Sequence, residues 1–139
     1  FELKEKLKNH FDKANIDYED LGTHGGNKND DYPDYAFKVA KRVAKEKNSF
    51  GILICGTGTG MVVAANKVKG IRAAAIYDEY SAKMAKKDNN INIACLRRRK
   101  TDFNKAKKII SIWLSASFSN LARHKRRIKE IADFEKKGR

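Results

Sequence analysis

Apolar and polar residues alternate along this chain with two periods. Phe1, Leu3, Leu7 and Phe11 fall at helical spacing, which predicts a helix over Phe1–Ala14. Ile16–Leu21 follows as a short strand. A helix is predicted over Tyr35–Lys45, with Pro33 in its first turn. Gly51–Ile54 is a short apolar run bounded by glycine, the mark of a parallel strand buried on both faces. The same pattern then repeats. Helices are predicted at Gly60–Lys67, Glu79–Lys87 and Thr101–Ala116, and strands at Ile71–Ile76 and Ile91–Leu96. A basic helix, Leu121–Lys137, closes the chain. His24–Asn29 is a polar loop containing glycine.

Strands that alternate with helices imply βαβ units and a parallel sheet. Ligands in such sheets bind beyond the C-terminal ends of the strands. Cys55 and the loop after Leu96 both fall at that edge. The expected architecture is a doubly wound, Rossmann-like α/β fold with three layers, formed by residues 1–139 as one domain.

Composition adds charge to this picture. The 139 residues carry a formal net charge of +14. Nucleic acid or an acidic metabolite would suit such a surface. The basic segments lack interleaved aromatic residues, so base stacking is not expected and neither is nucleic acid. The lysine runs Lys86-Lys87 and Lys107-Lys108 read as solvated helix faces. Arg97-Arg98-Arg99 and Arg123–Arg127 are denser, and arginine suits bidentate phosphate contacts. No apolar run approaches the roughly 18 residues of a membrane span. Two cysteines and a charged amphipathic start point to the cytoplasm.

The chemistry concentrates in Phe50–Asn66. Cys55 ends a strand, Gly56-Thr57-Gly58-Thr59-Gly60 forms a turn, and a helix opens behind it. Free N–H groups at a helix start favour an anion. Three readings stand: a buried core cysteine beside a tight turn, a phosphate cradle without chemistry, and a reactive thiolate beside an anion hole. A P-loop is excluded, because no Gly-Lys-Ser/Thr follows the glycines. His10, His24 and His124 show no metal-ligand spacing, so neither metal nor organic cofactor is expected. Cys95 and Trp113 read as core, though Trp113 also suits an interface. Asp78 and Glu79 suit a helix start, and Arg126 faces solvent. His124 reads as a solvent or interface residue rather than a catalytic one.

Five separated segments resemble ribose-5-phosphate isomerase type B and the related galactose-6-phosphate isomerase. They are Asp20–His24 (DLGTH), Asp31–Ala36 (DYPDYA), Ile52–Gly60 (ILICGTGTG), Ala64–Ala74 (AANKVKGIRAA) and Ala122–Ile128 (ARHKRRI). The resemblance spans almost the whole chain in order. It implies a five-stranded, mainly parallel sheet and a homodimer or tetramer with sites shared between subunits. It also implies an enzyme of the pentose phosphate pathway that interconverts ribose 5-phosphate and ribulose 5-phosphate. Cys55 would be the base that moves a proton between C1 and C2, with Thr57 and Asp88 completing the catalytic set. Gly56, Gly58, Thr59 and Gly60 would line the enediolate pocket with Thr57. Tyr32 and Asn89 would contact the sugar, and Arg99, Arg123 and Arg127 its phosphate, the arginines coming from the partner. The basic terminal helix would pack on that partner.

Three departures stand out. The family opens with a strand and Asp-His-Ala-Gly, whereas this sequence starts at Phe1, after that motif. A sheet without that first strand would leave a gap between the Ile16 and Gly51 strands, with unpaired backbone. Asp88 stands where the family has a ring-opening histidine. Arg97-Arg98 and Leu121-Ala122 replace small residues, the second pair replacing two glycines. An isomerase of a six-carbon aldose 6-phosphate (galactose or allose), or a weakened homologue that only binds a phosphorylated sugar, are the alternatives.

Overall fold

A computed structural model describes residues 1–22 and 31–138. Thr23 and His24 of the DLGTH segment, and the loop His24–Asn29, lie outside the described residues.

The elements run α1 (Glu2–Lys13), α2 (Tyr32–Lys45), β1 (Gly51–Cys55), α3 (Thr59–Ala65), β2 (Ala73–Ala75), α4 (Glu79–Asn89), β3 (Ile93–Arg97), α5 (Phe103–Ser115) and α6 (Ala122–Lys136). Their starts are chemically marked. Pro33 sits in the first turn of α2. Asp78 and Ser81 form a reciprocal capping box at α4. Asp102 caps α5 by accepting from the Lys105 N–H.

The sheet is parallel, in the order β1-β3-β2, with Leu53 opposite Cys95 and Ala75 opposite Cys95 on the other side. Side chains alternate between the two faces of a strand. Leu53, Ala73, Ile93 and Cys95 therefore enter one core with Ala36, Ala40, Met61 and Ala65 of α2 and α3. Ala94 and Leu96, with Ile52 and Ile54 packed against them, enter the other. There they meet Leu3, Leu7 and Phe11 of α1, Ala82 of α4, and Ile109, Ile110 and Trp113 of α5. Helices cover both faces, so the doubly wound three-layer class holds.

The strand count differs from expectation. Among the described residues the sheet has three of the four strands that the sequence predicts. Ile16–Leu21 forms none, because no described segment pairs with its backbone in a ladder. It is held instead by Asp20, whose carboxylate bonds the ammonium groups of Lys4 (3.1 Å) and Lys8 (2.9 Å) on α1. Between this segment and β1 lies a cavity of about 600 Å³, lined by Leu7, Phe11, Ile16, Tyr18, Val39 and Leu53 among others. Among the described residues, no helix is long and apolar enough to cross a membrane.

Candidate active site

β1 delivers Cys55 to the C-terminal edge of the sheet, opposite Arg97 of β3. The pairing continues past the strands: the Arg98 N–H donates to the Cys55 carbonyl at 2.8 Å, and the Arg99 N–H to the Gly56 carbonyl at 3.2 Å. This zipper draws the arginine loop over the glycine turn. A Cβ on Gly56 would sit 3.2 Å from Arg99 Nε, so glycine is what lets the guanidinium settle there. Gly58 takes a φ of +83° and precedes α3, a left-handed turn that glycine enters without strain. Its N–H donates to Cys55 Sγ at 3.1 Å. A Cβ on Gly60 would stand 2.7 Å from the Tyr32 ring. Cys55, the turn Gly56–Gly60, Tyr32 and Arg99 therefore form one cluster.

Two turn donors are used within the loop. The Gly58 N–H serves the thiol, and the Thr59 N–H reaches Thr57 Oγ1 at 3.4 Å. The first N–H groups are thus not all free, as the sequence pattern alone suggested. Thr57 Oγ1 accepts from Thr59, and its hydroxyl keeps a proton to donate. Thr57 and Thr59 are exposed, as a substrate-facing turn requires.

The two cysteines are both free and differ sharply. Cys95 is fully buried at the centre of β3, and burial, with a smaller contribution from Cys55, pushes its thiol up to about 12. Cys55 is partly open. The strand register separates a core thiol from one that a substrate can reach.

The remaining candidates lie elsewhere. α4 starts beyond the C-terminal end of β2 and runs back, so its last turn sits at the opposite edge of the sheet, where β3 begins. Asp88 and Asn89 are in that turn. The Ser119 N–H donates to the Lys87 carbonyl at 2.9 Å, which anchors the start of α6 beside it. Arg123 and Arg127 are exposed, one helical turn apart on α6. The candidates thus form two half-sites at opposite ends of the chain's own sheet.

One residue changes standing. His124 is buried, not solvent-facing, with 7% of its surface exposed. Its Nδ1 lies 2.6 Å from Ser119 Oγ, and its Nε2 lies 3.7 Å from Asp88 Oδ1. Ser119 was not among the sequence candidates; a lone serine before a helix gives no signal of its own. Trp113 is wholly buried in the core.

Cys55 thus stands beside a glycine turn at the C-terminal edge of a parallel sheet, with Arg99 and Tyr32 against that turn. The chain belongs to the Ribose/Galactose Isomerase family, whose family model matches residues 1–131. It is 36% identical over 137 residues to ribose-5-phosphate isomerase B of Escherichia coli (strain K12), across 99% of this chain and 91% of the relative. It is 39% identical over 117 residues to D-erythrulose-4-phosphate isomerase of Pectobacterium atrosepticum, across 84% of this chain and 77% of the relative. The crystal structure of ribose-5-phosphate isomerase B from Mycoplasma genitalium with bound ribulose-5-phosphate superposes with a TM-score of 0.93 at 42% identity. That match covers 98% of this chain and 90% of the other.

Proposed function

We propose that residues 1–139 form one sugar-phosphate isomerase domain that interconverts ribose 5-phosphate and ribulose 5-phosphate in the cytoplasm. The observation that carries this is the placement of Cys55. Its sulfur sits at a turn where backbone donors, a threonine hydroxyl, Tyr32 and Arg99 converge.

In the open aldose, Cys55 as thiolate takes the C2 proton, which is acidic because it lies beside the C1 carbonyl. The electron pair moves into the C1–C2 bond and leaves charge on the C1 oxygen. The Thr57 hydroxyl and the turn N–H groups not used within the loop face that charge. Removing one such donor typically costs about 2.7–4 kcal/mol of transition-state stabilisation. The thiol then returns the proton to C1, while a proton passes between the two oxygens, and the ketose results. No cofactor enters these steps. Tyr32 and Asn89 contact the sugar, and Arg99, Arg123 and Arg127 hold the phosphate through paired N–H groups.

One protomer does not bring these residues together. A two-fold dimer would place the Asp88–Arg127 end of one subunit against the Cys55 end of its partner, twice. Leu121, Ile131 and Phe134 leave apolar surface exposed along α6, which supports an interface there. The relative acting on a four-carbon ketose phosphate makes substrate length the variable to assay.

Cys55→Ser should lower kcat on ribose 5-phosphate by more than about 100-fold, the size of losing a general base. The same variant should fail with four- and six-carbon aldose phosphates. Retention of most activity would show that the base lies elsewhere.

A further inference from the structure

Asp88 stands in the half-site that would meet the sugar ring, and a lone carboxylate is a poor proton donor at neutral pH. Two neighbours stand behind it. The Leu121 N–H donates to Ser119 Oγ at 3.2 Å. The same oxygen lies 2.6 Å from His124 Nδ1 and has a second lone pair to accept from an Nδ1–H. Nε2 is then the ring nitrogen that faces Asp88, at 3.7 Å. His124 is buried between these two partners, whereas Asp88 is partly open. The 3.7 Å separation is longer than a hydrogen bond, and such contacts tighten when a site fills.

We propose that Ser119 and His124 are positioning residues that make Asp88 the acid for opening the cyclic sugar. This rests on the isomerase assignment above. Asp88 and His124 share one proton. In one arrangement His124 is the imidazolium and Asp88 the carboxylate. In the other Asp88 is the carboxylic acid and His124 is neutral. Ser119 serves both, because the proton that moves lies between Nε2 and Asp88, and the serine oxygen accepts from Nδ1–H in either arrangement. In the reaction Asp88 gives its proton to the ring oxygen as the C1–O ring bond breaks. The C1 hydroxyl loses its proton to water and becomes the aldehyde. The Asp88–His124 pair regains a proton from solvent, so the count closes.

The test separates ring opening from isomerisation. Ribulose 5-phosphate has no such ring, so exchange of its C1 hydrogen with deuterated water reports the Cys55 chemistry alone. His124→Gln should slow turnover of cyclic ribose 5-phosphate by on the order of 10- to 100-fold and leave that exchange within about twofold. Ser119→Ala should show the same split at smaller size, and Ser119→Thr, which keeps the hydroxyl, should restore the rate. Equal losses in both assays, or no loss in either, would overturn the relay. If His124→Gln fails to fold, the Ser119→Ala and Ser119→Thr pair decides in the same way. If Cys55→Ser leaves the exchange intact, the isomerase assignment fails. If it abolishes exchange and the His124 and Ser119 variants show no split, the relay alone fails.

Discussion

Mixing two inactive variants tests whether the active site is shared. Cys55 closes β1 at one edge of the sheet, while Asp88, Asn89 and the start of α6 lie at the other. The five residues of β1 span about 16 Å, and packed helix axes add about 8–10 Å between α4 and α6. A five-carbon sugar phosphate is far shorter than this. A phosphate held by Arg123 therefore cannot bring its C2 to Cys55 of the same protomer. In a two-fold dimer each site takes Cys55 from one subunit and Arg123 from the other. Cys55→Ser and Arg123→Ala subunits then pair so that one site carries both lesions and the other carries neither.

The expected magnitude follows from counting sites. Random re-pairing of equal amounts makes about half of the dimers mixed, and half of their sites intact. The mixture should recover roughly a quarter of the unmodified activity, and the purified mixed dimer roughly half. Co-expression with two different tags isolates that dimer, and an assay on ribose 5-phosphate reads it. A mixed dimer no more active than its parents would refute shared sites. So would a monomer in sedimentation at micromolar concentration with full activity.

Three further outcomes are expected. Gly60→Ala places a Cβ about 1 Å too close to the Tyr32 ring, so activity should fall by on the order of 100-fold with little change in Tm; an unchanged rate would remove Tyr32 from the site. Burial acts to raise the Asp20 carboxyl, but hydrogen bonds from Lys8, Lys4 and the Gly22 N–H outweigh it and hold the group at about 2. A group lowered from 3.8 to about 2 contributes stability that is present above pH 3.8 and lost as pH falls through 2, so Asp20→Asn should cost about 2 kcal/mol at pH 7 and nothing near pH 2 in urea unfolding. The Lys86 ammonium is buried, 4.2 Å from the Phe50 ring and 4.9 Å from that of Trp113, and burial lowers its pKa. The unfolded chain binds that proton more tightly, so the charge opposes folding at neutral pH and the penalty fades as pH rises towards 10.5; Lys86→Met should raise Tm at pH 7, by less above pH 10, and an equal gain at every pH would exclude this cause.

What was legible in the sequence follows from which interactions are local. Leu3, Leu7 and Phe11, or Ala36, Ala40 and Val43, repeat at helical spacing, and they are buried. β1 and β3 read as strands because helices cover both of their faces. Cys55 and its turn are contiguous, so the reachable half-site was visible as a motif. Ile16–Leu21 has strand-like residues, but a strand exists only where a neighbour supplies hydrogen bonds. Without one beside it the segment joins no ladder and is fixed by Asp20 to α1.

The division of the site was implicit in the topology rather than in any motif. A helix that follows a parallel strand must return to the edge where the next strand begins, which carries Asp88 away from Cys55. The burial of His124 escaped the sequence reading for another reason. In Arg-His-Lys-Arg-Arg-Ile the charge of its neighbours hides a single inward position. The signal was nevertheless present at helical spacing, since His124, Ile128 and Ala132 fall four residues apart, and His124 and Ile128 are more covered than the basic residues beside them. A polar residue heading an apolar stripe must find partners for its ring nitrogens when buried. Ser119 lies 2.6 Å from one ring nitrogen, and Asp88, at 3.7 Å, faces the other. The requirement was readable from the pattern, but the partners were not, because both come from segments whose approach depends on how α4 and α6 pack.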